Sequence, residues 1–261
     1  MNYFAEGLQG SGKSTLVRNI EKHCSGCTVF REGDYNPAEL AWCAYTDERQ
    51  YRDITERYPK LLAQIEANTF AEDDRRIICY TKIRTDDDAF YQDLESYEIY
   101  NGRIPFSEFR SVILRRFANL HGDNMVFECA LFQNIIEDMI LFRNASDADI
   151  IDFYRQIRRV LEGRAFRILY LKTENVRNTI DAVRKERVDE KGEEVWFRML
   201  CGFFDESPYA KANRVSGADA LIAHLAHRQE LELQICRGLF PGQYTVLSSK
   251  AYTDAELAAA L

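Results

Sequence analysis

An α/β fold is what this sequence predicts: a five-stranded, mostly parallel sheet with helices on both faces, plus a largely helical insertion. Three observations carry that expectation. Five short apolar runs, at residues 2–6, 27–31, 124–128, 166–171 and 244–247, alternate with segments of helical spacing, the pattern that builds parallel sheets through crossover helices. The first run leads directly into a glycine-rich turn, Gly7-Leu8-Gln9-Gly10-Ser11-Gly12-Lys13-Ser14. The 261 residues, 46% hydrophobic and 29% charged, have the composition of an ordinary globular protein with ample core material.

The elements follow in order. Asn2–Glu6 reads as a short strand, and Leu16, Val17 and Ile20 share one face of a helix that starts near Ser14. The turn between them fits the pattern Gly, four residues, Gly-Lys, Ser or Thr, and it has the strand-before, helix-after context that a phosphate-binding loop (P-loop) requires. Glycines reach backbone angles that let successive N–H groups face a polyphosphate, and the helix N-terminus adds partial positive charge. Lys13 is placed to reach the β- and γ-phosphates as a point charge, and the Ser14 hydroxyl to ligate Mg²⁺. The expected nucleotide-binding residues are therefore Gly7, Gly10, Ser11, Gly12, Lys13, Ser14 and Thr15, with ATP and Mg²⁺ as cofactors.

Cys27–Arg31 predicts a second strand, ended by the turn-prone Glu32–Pro37. Residues 38–45 suggest a short helix carrying Leu40 and Trp42. Tyr51, Ile54, Tyr58, Leu61, Leu62 and Ile65 mark one face of a long helix that Pro59 interrupts. Residues 77–80 suit strand or helix, Asp86-Asp87-Asp88 looks like a helix start, and 107–119 looks helical. The stretch 38–120 is the expected acceptor-covering insertion in a single domain spanning 1–261. Beyond it come a third strand at 124–128, helical spacing over 131–142 and 147–162, a fourth strand at 166–171, a charged helix over 176–188 and an aromatic-rich one over 194–204. A long helix over 217–239, a fifth strand at 244–247 and a short Ala-rich tail complete the chain.

Ligands of such sheets sit beyond the carboxyl ends of the strands. That rule singles out Gly7 to Ser14, Glu32 to Asp34, Glu128, Lys172 and Ser248 to Lys250. Glu128 follows an apolar strand and is the candidate metal partner of Ser14. Glu32 and Asp34 are both placed to take a proton from an acceptor hydroxyl, and the choice between them stays open. Charge that develops on a transferred group calls for cations. The run Arg184-Lys185-Glu186-Arg187, just before the polar stretch 189–194, supplies three, of which Arg184 and Arg187 are the lead candidates; Arg177, seven residues before Arg184 on a similar helical face, is a fourth and weaker one. Residues 177–195 form the expected lid.

Other groups point to less. The Cys24-x-x-Cys27 element has no second ligand pair to complete a zinc site, and His224 and His227 lack partners for one. Trp42 suits either core packing or substrate contact. A net charge of −8 and a pI near 5.2 argue against a nucleic-acid polymer as partner. There is no run of eighteen apolar residues and no signal-peptide layout, so no membrane partner and a cytoplasmic location are expected. The seven cysteines are expected to be reduced thiols. Oligomeric state is left open.

This order of parts resembles the P-loop nucleoside and nucleotide kinases, in particular the deoxynucleoside kinase and thymidylate kinase-like branch. The matching pieces are the loop at Gly7 to Ser14, Arg31-Glu32-Gly33-Asp34 followed by Trp42, Phe127-Glu128-Cys129, and Tyr170-Leu171-Lys172 leading into Arg184 to Arg187. The resemblance implies that Glu32 is the proton acceptor, that Glu128 helps to hold Mg²⁺, and that Arg184 and Arg187 are lid arginines. Two departures fall on the acceptor side. Cys129 and Ala130 stand where that branch carries Arg-Ser, and Gly33 stands in place of Pro. Asp34, two residues after Glu32, is more like the shikimate, gluconate or chloramphenicol phosphotransferases.

The resulting expectation is an ATP- and Mg²⁺-dependent phosphotransferase that moves the γ-phosphoryl group to a small acceptor, with nucleosides and nucleotides among the candidates. Antibiotic- or sugar-type acceptors are the alternative within that class. The competing class is a P-loop ATPase that acts as a switch or regulator through a partner protein, and a third is nucleotide binding without catalysis.

Overall fold

A computed structural model describes residues 1–261. In chain order the elements are β1 (Asn2–Gly7), α1 (Lys13–His23), β2 (Thr28–Phe30), β3 (Ala44–Asp47), α2 (Glu48–Arg57), α3 (Leu62–Ala67), β4 (Thr69–Glu72), β5 (Arg75–Ile78), α4 (Asp88–Glu95) and α5 (Phe106–Ala118). They continue with β6 (Met125–Glu128), α6 (Gln133–Glu137), α7 (Asp147–Val160), β7 (Phe166–Lys172), α8 (Val176–Glu186), α9 (Val195–Glu206), α10 (Pro208–Asn213), α11 (Gly217–Leu239), β8 (Tyr244–Ser248) and α12 (Asp254–Ala260). The chain divides into two compact units, one of Met1–Val29 with His121–Leu261, the other of Phe30–Leu120.

The first unit is built on a five-stranded sheet of order β2-β6-β1-β7-β8, with β1 at its centre. β1 pairs in parallel with β6 (Phe4 opposite Phe127) and with β7 (Ala5 opposite Leu169), and β7 pairs in parallel with β8 (Leu171 opposite Leu247). A central parallel strand is covered on both faces, so it reads as a continuous buried run, and every residue of β1 is buried. On one face Tyr3, Ala5, Val126, Leu169 and Leu171 pack with Leu16, Val17 and Ile20 of α1 and Leu257 of α12. On the other, Phe4 stacks on Phe127 with ring centres 5.0 Å apart and meets Phe166 edge-on at 5.7 Å. Each such buried ring contributes on the order of 1.5–3 kcal/mol by removal from water.

Two expectations for this unit are amended. The helical run over 131–142 is α6 followed by a π-helical turn, Asp138–Phe142. The Ala-rich tail is a helix, α12, because the Thr253 hydroxyl accepts from the Glu256 N–H while the Glu256 carboxylate accepts from the Thr253 N–H and closes a capping box. α10, short and with Pro208 in its first turn, was outside the expected set.

The second unit combines helices with a three-stranded antiparallel sheet of order β3-β5-β4; the run at 77–80, which suited strand or helix, ends β5 and its tail lies beyond it, while β3 and β4 had no signal in local periodicity. The short helix expected over 38–45 does not form. The Asn36 side chain accepts from the Ala38 and Glu39 N–H groups, both at 2.8 Å, and turns the chain. Ala44 then pairs with Ile78, so residues 44–47 are strand. The long helix of 51–65 is broken at Pro59 into α2, a single 3-10 turn and α3. Ile54, Ile65, Ile78, Tyr80, Phe90 and Leu94 form the core beneath these elements. Asp87 caps α4 by accepting from the Ala89 N–H, as the acidic run at 86–88 predicts.

Candidate phosphate-binding site

The loop from Gly7 to Ser14 joins the end of β1 to α1. At Gly7 the backbone has φ 138°, and a Cβ there would lie 2.7 Å from the Leu171 carbonyl oxygen, so β7 leaves room for glycine alone. Gly10, with φ 78°, lies so close to Val183 of α8 that a Cβ would meet its Cγ2 at 2.4 Å. α1 starts at Lys13 with neither a capping side chain nor an acidic residue in its first turn. Its unpaired N–H groups and partial positive charge therefore suit an anion. Inside the loop the Ser11 hydroxyl is buried and has no hydrogen-bond partner.

Lys13 is buried, and its ammonium uses its three donors on the Gly7 carbonyl at 2.8 Å, the Leu8 carbonyl at 2.8 Å and Gln133 Oε1 at 3.0 Å. Ser14 donates its hydroxyl to Glu128 Oε1 at 2.5 Å. Glu128 ends β6 opposite Ala5, which brings its carboxylate to the start of α1. The residue after it, Cys129, takes the left-handed backbone conformation (φ 61°), and its N–H bonds the Ala5 carbonyl at 3.1 Å. Glu6 holds the next turn, accepting from the N–H groups of Leu131 at 2.7 Å and Phe132 at 3.3 Å. Burial pushes the Glu6 carboxyl up to about 8.

The loop after β8 closes on the same place. Ser249 donates its hydroxyl to the Ser11 carbonyl at 2.8 Å, and Lys250 pairs with Glu186 of α8 at 3.2 Å. Ser14 and Glu128 together offer hard oxygen donors, which Mg²⁺ prefers when most of its remaining ligands are water and phosphate. No group of three or more His, Cys, Asp or Glu side chains is arranged to hold a metal elsewhere. A separate cavity of about 410 Å³ along β8 is lined by Lys172, Glu174 and Glu256 and by no residue of the phosphate loop.

The lid candidates of the first unit are engaged in pairs. Arg184 bonds Glu194 at 2.7 Å and Asp181 at 3.2 Å and lies over the Phe197 ring, while Arg187 lies 4.8 Å over the ring of Trp196. Arg177 pairs with Asp219 at 2.7 Å. His224 and His227 contact Glu137 and Asp147, and His23 contacts Asp254. All seven cysteines are thiols, and Cys43 and Cys79 approach to 3.5 Å.

Glu32 and Asp34 belong to the second unit. Asp34 accepts from the Arg31 N–H at 2.7 Å within its own turn and forms an ion pair with Lys82. Glu32 is exposed and accepts from the Trp42 indole N–H at 3.1 Å. Trp42 itself has φ 63°, an uncommon conformation for a bulky residue, and the residue is 45% exposed, so it is not core. Deeper in this unit, burial pushes the Glu39 carboxyl up to about 8 and the Glu98 carboxyl up to about 7.

Residue-type patterns had not singled out Gln9, Gln133, Glu6 or Arg228 near the loop. Ser249 lies within the strand-end segment that the position rule selects. The phosphate loop and the parallel sheet around it define an α/β P-loop fold. No protein-family profile matches the chain. No curated protein matches it either. Among solved structures it is similar to the deoxyadenosine kinase of M. mycoides with bound dATP, over 99% of this chain and 96% of that one, at 17% identity and a TM-score of 0.40. A likeness of that degree assigns no activity to this chain. No helix is long and apolar enough to cross a membrane.

Proposed function

We propose that the protein is an ATP- and Mg²⁺-dependent phosphotransferase that moves the γ-phosphoryl group to a small acceptor, with nucleosides and nucleotides the first candidates and antibiotic- or sugar-type acceptors the alternative. The observation that carries this reading is the 2.5 Å contact between Ser14 Oγ and Glu128 Oε1 beside a glycine-rich loop that Lys13 folds over. It joins a hydroxyl from the first turn of α1 to a carboxylate from the end of β6 at the mouth of an anion site, which structural packing alone does not require. Mg²⁺, when bound, neutralises charge on the β- and γ-phosphate oxygens.

In this reading the loop amides and the α1 N-terminus bind phosphate, and Lys13 exchanges its loop carbonyls and Gln133 for phosphate oxygens. Ser14 and Glu128 hold the metal. Glu32 takes the acceptor proton, a role supported by its exposure and by the indole N–H that orients it; Asp34 is occupied by its turn and by Lys82. Arg184 and Arg187 of the 177–195 lid exchange their present partners for the transferred group. Residues 38–120 cover the acceptor.

The test is ADP release from ATP and Mg²⁺ above the acceptor-free rate, across a panel of nucleosides, nucleotides, sugars and aminoglycoside-type antibiotics. Lys13→Ala should abolish transfer while leaving the unfolding transition in place. Phosphorylation retained by the purified variant would sink the assignment.

One observation favours a second reading, an ATPase that acts through a partner. Val195, Met199 and Phe203 recur every four residues on α9 and are exposed, Met199 by 69%. That reading predicts acceptor-independent ATP hydrolysis and no product with any member of the panel.

A further inference from the structure

Behind the phosphate loop lies a buried polar cluster that the proposed reaction does not use. Arg228, on α11, has no exposed side-chain surface. Its guanidinium donates one N–H to Glu137 Oε1 and another to Gln9 Oε1, the latter at 2.7 Å, and its Nε lies 3.1 Å from Glu232 Oε1. The Gln9 amide nitrogen in turn donates to Glu137 Oε1 at 3.4 Å. Both ends of the Gln9 carboxamide are thus held, one by α11 and one by the end of α6. Glu137 Oε2 lies 2.9 Å from His224 Nε2. Burial alone would raise the Glu137 carboxyl, but Arg228 and His224 outweigh it and hold the group at about 2.

An ion pair in the interior carries a desolvation cost that apolar side chains of similar volume avoid. Stability alone therefore does not account for it. Its location does. Gln9 sits between Gly7 and Gly10, whose φ values of 138° and 78° mark a backbone with wide conformational freedom. Leu8, buried to 1% exposure, fixes one side of this stretch. Lys13 and Ser249 hold loop carbonyls on either side of Gln9, and the Gln9 carboxamide adds a hold from its own side chain, gripped by charged groups, whose hydrogen bonds are stronger than neutral ones. α11 also packs against α8, the helix that carries Val183 at Gly10.

We propose that Arg228 and Glu137 are positioning residues for the phosphate loop, acting through the side-chain amide of Gln9. The consequence for ligand affinity rests on the nucleotide-binding reading of the loop; the ordering of the loop does not.

The test uses the full chain. Gln9→Leu alters a partly exposed loop residue and leaves the core intact, Arg228→Lys keeps the charge but loses the fork, and the double variant combines them. Amide hydrogen exchange over residues 8–12 of the ligand-free protein should rise about tenfold in each single variant, the scale of one lost charge-assisted hydrogen bond. The urea midpoint of Gln9→Leu should fall by no more than the loss of that one hydrogen bond entails, with amide exchange outside residues 8–12 changing only to that extent. In calorimetry with ATP and Mg²⁺, affinity should fall about tenfold for Gln9→Leu and by less for Arg228→Lys, and the double variant should be no weaker than Gln9→Leu. Parent-like exchange over 8–12 in Gln9→Leu, or losses of affinity that multiply in the double variant, would overturn the proposal. If the parent protein binds no ATP, the nucleotide reading falls, and the exchange comparison still decides whether Arg228 positions the loop.

Discussion

Replacing Gly10 by alanine tests how the loop is built. Two costs follow. The backbone at Gly10 has φ 78°, a left-handed conformation that costs an L-residue with a Cβ about 1–2 kcal/mol. The new Cβ would also stand 2.4 Å from Val183 Cγ2, well inside the separation of about 3.5–4.0 Å at which carbon atoms rest. Val183 is buried in α8 and, as a β-branched residue in a helix, has one strongly preferred rotamer, so the overlap cannot be relieved by rotation. Overpacking of this kind costs about 1–3 kcal/mol, which makes the expected loss about 2–5 kcal/mol. Gly12→Ala is the control. Its φ of 100° carries a comparable backbone cost, but the added Cβ meets only Lys250 Cγ at 3.8 Å, an ordinary contact. Urea denaturation of the two variants should therefore separate them by about 1–3 kcal/mol, and Val183→Ala in the Gly10→Ala background should recover that difference as a favourable coupling energy. Equal losses for Gly10→Ala and Gly12→Ala, or no coupling with Val183→Ala, would refute the reasoning.

Three further outcomes are expected. Glu128→Gln removes the carboxylate that meets Ser14 and should lower turnover about 10–100-fold with a raised Mg²⁺ requirement, read by Mg²⁺ titration of ADP release; an unchanged Mg²⁺ profile counts against the metal role. Glu32→Gln should cost about 10²–10⁴-fold in transfer, whereas Asp34→Asn should lower stability by about 1 kcal/mol through its turn and Lys82 and leave transfer largely intact; the reverse pattern makes Asp34 the base. Burial raises the Glu39 carboxyl from 4.5 to about 8, so above pH 4.5 the unfolded chain releases a proton that the folded chain keeps. The contribution of Glu39 to stability therefore falls as pH climbs from about 4.5 towards 8, by up to about 1.4 kcal/mol per unit, and Glu39→Gln should make the pH dependence shallower by that share while those of Glu6 and Glu98 remain. Denaturation of both proteins at pH 5 and pH 8 reads it, and parallel pH dependences contradict the assignment.

The conformation of the glycine-rich loop was legible because its requirements are local. Gly7, Gly10 and Gly12 are needed for positive φ, and Lys13 and Ser14 for reach from the first turn of α1; all lie within eight consecutive residues. The position rule for strand ends likewise reached Glu128 and the Ser248–Lys250 segment, because a parallel sheet gathers its carboxyl ends on one edge. Local periodicity failed at residues 38–45. There an Asn36 turn and the pairing of Ala44 with Ile78, thirty-four positions away, outweighed helical propensity. Arg228 and Glu137 gave no signal in the chain. On α11, Arg228 reads as one more charge on a solvated helix face, and nothing nearby in sequence shows that it is buried.

By itself, then, the sequence determined the α/β class, the order of the five strands along the chain and the glycine-rich loop between β1 and α1, since each depends on residue spacing and on backbone freedom that can be read over a few turns. The tertiary structure alone decided which distant side chains complete the site. Lys13 meets Gln133 and Gln9 is gripped by Arg228 and Glu137, whereas Glu128, which meets Ser14, had already been reached by the strand-end rule. Whether a polar side chain is a solvated surface group or a buried contact depends on what packs over it, and that is set by sheet order and helix placement across more than a hundred residues of chain.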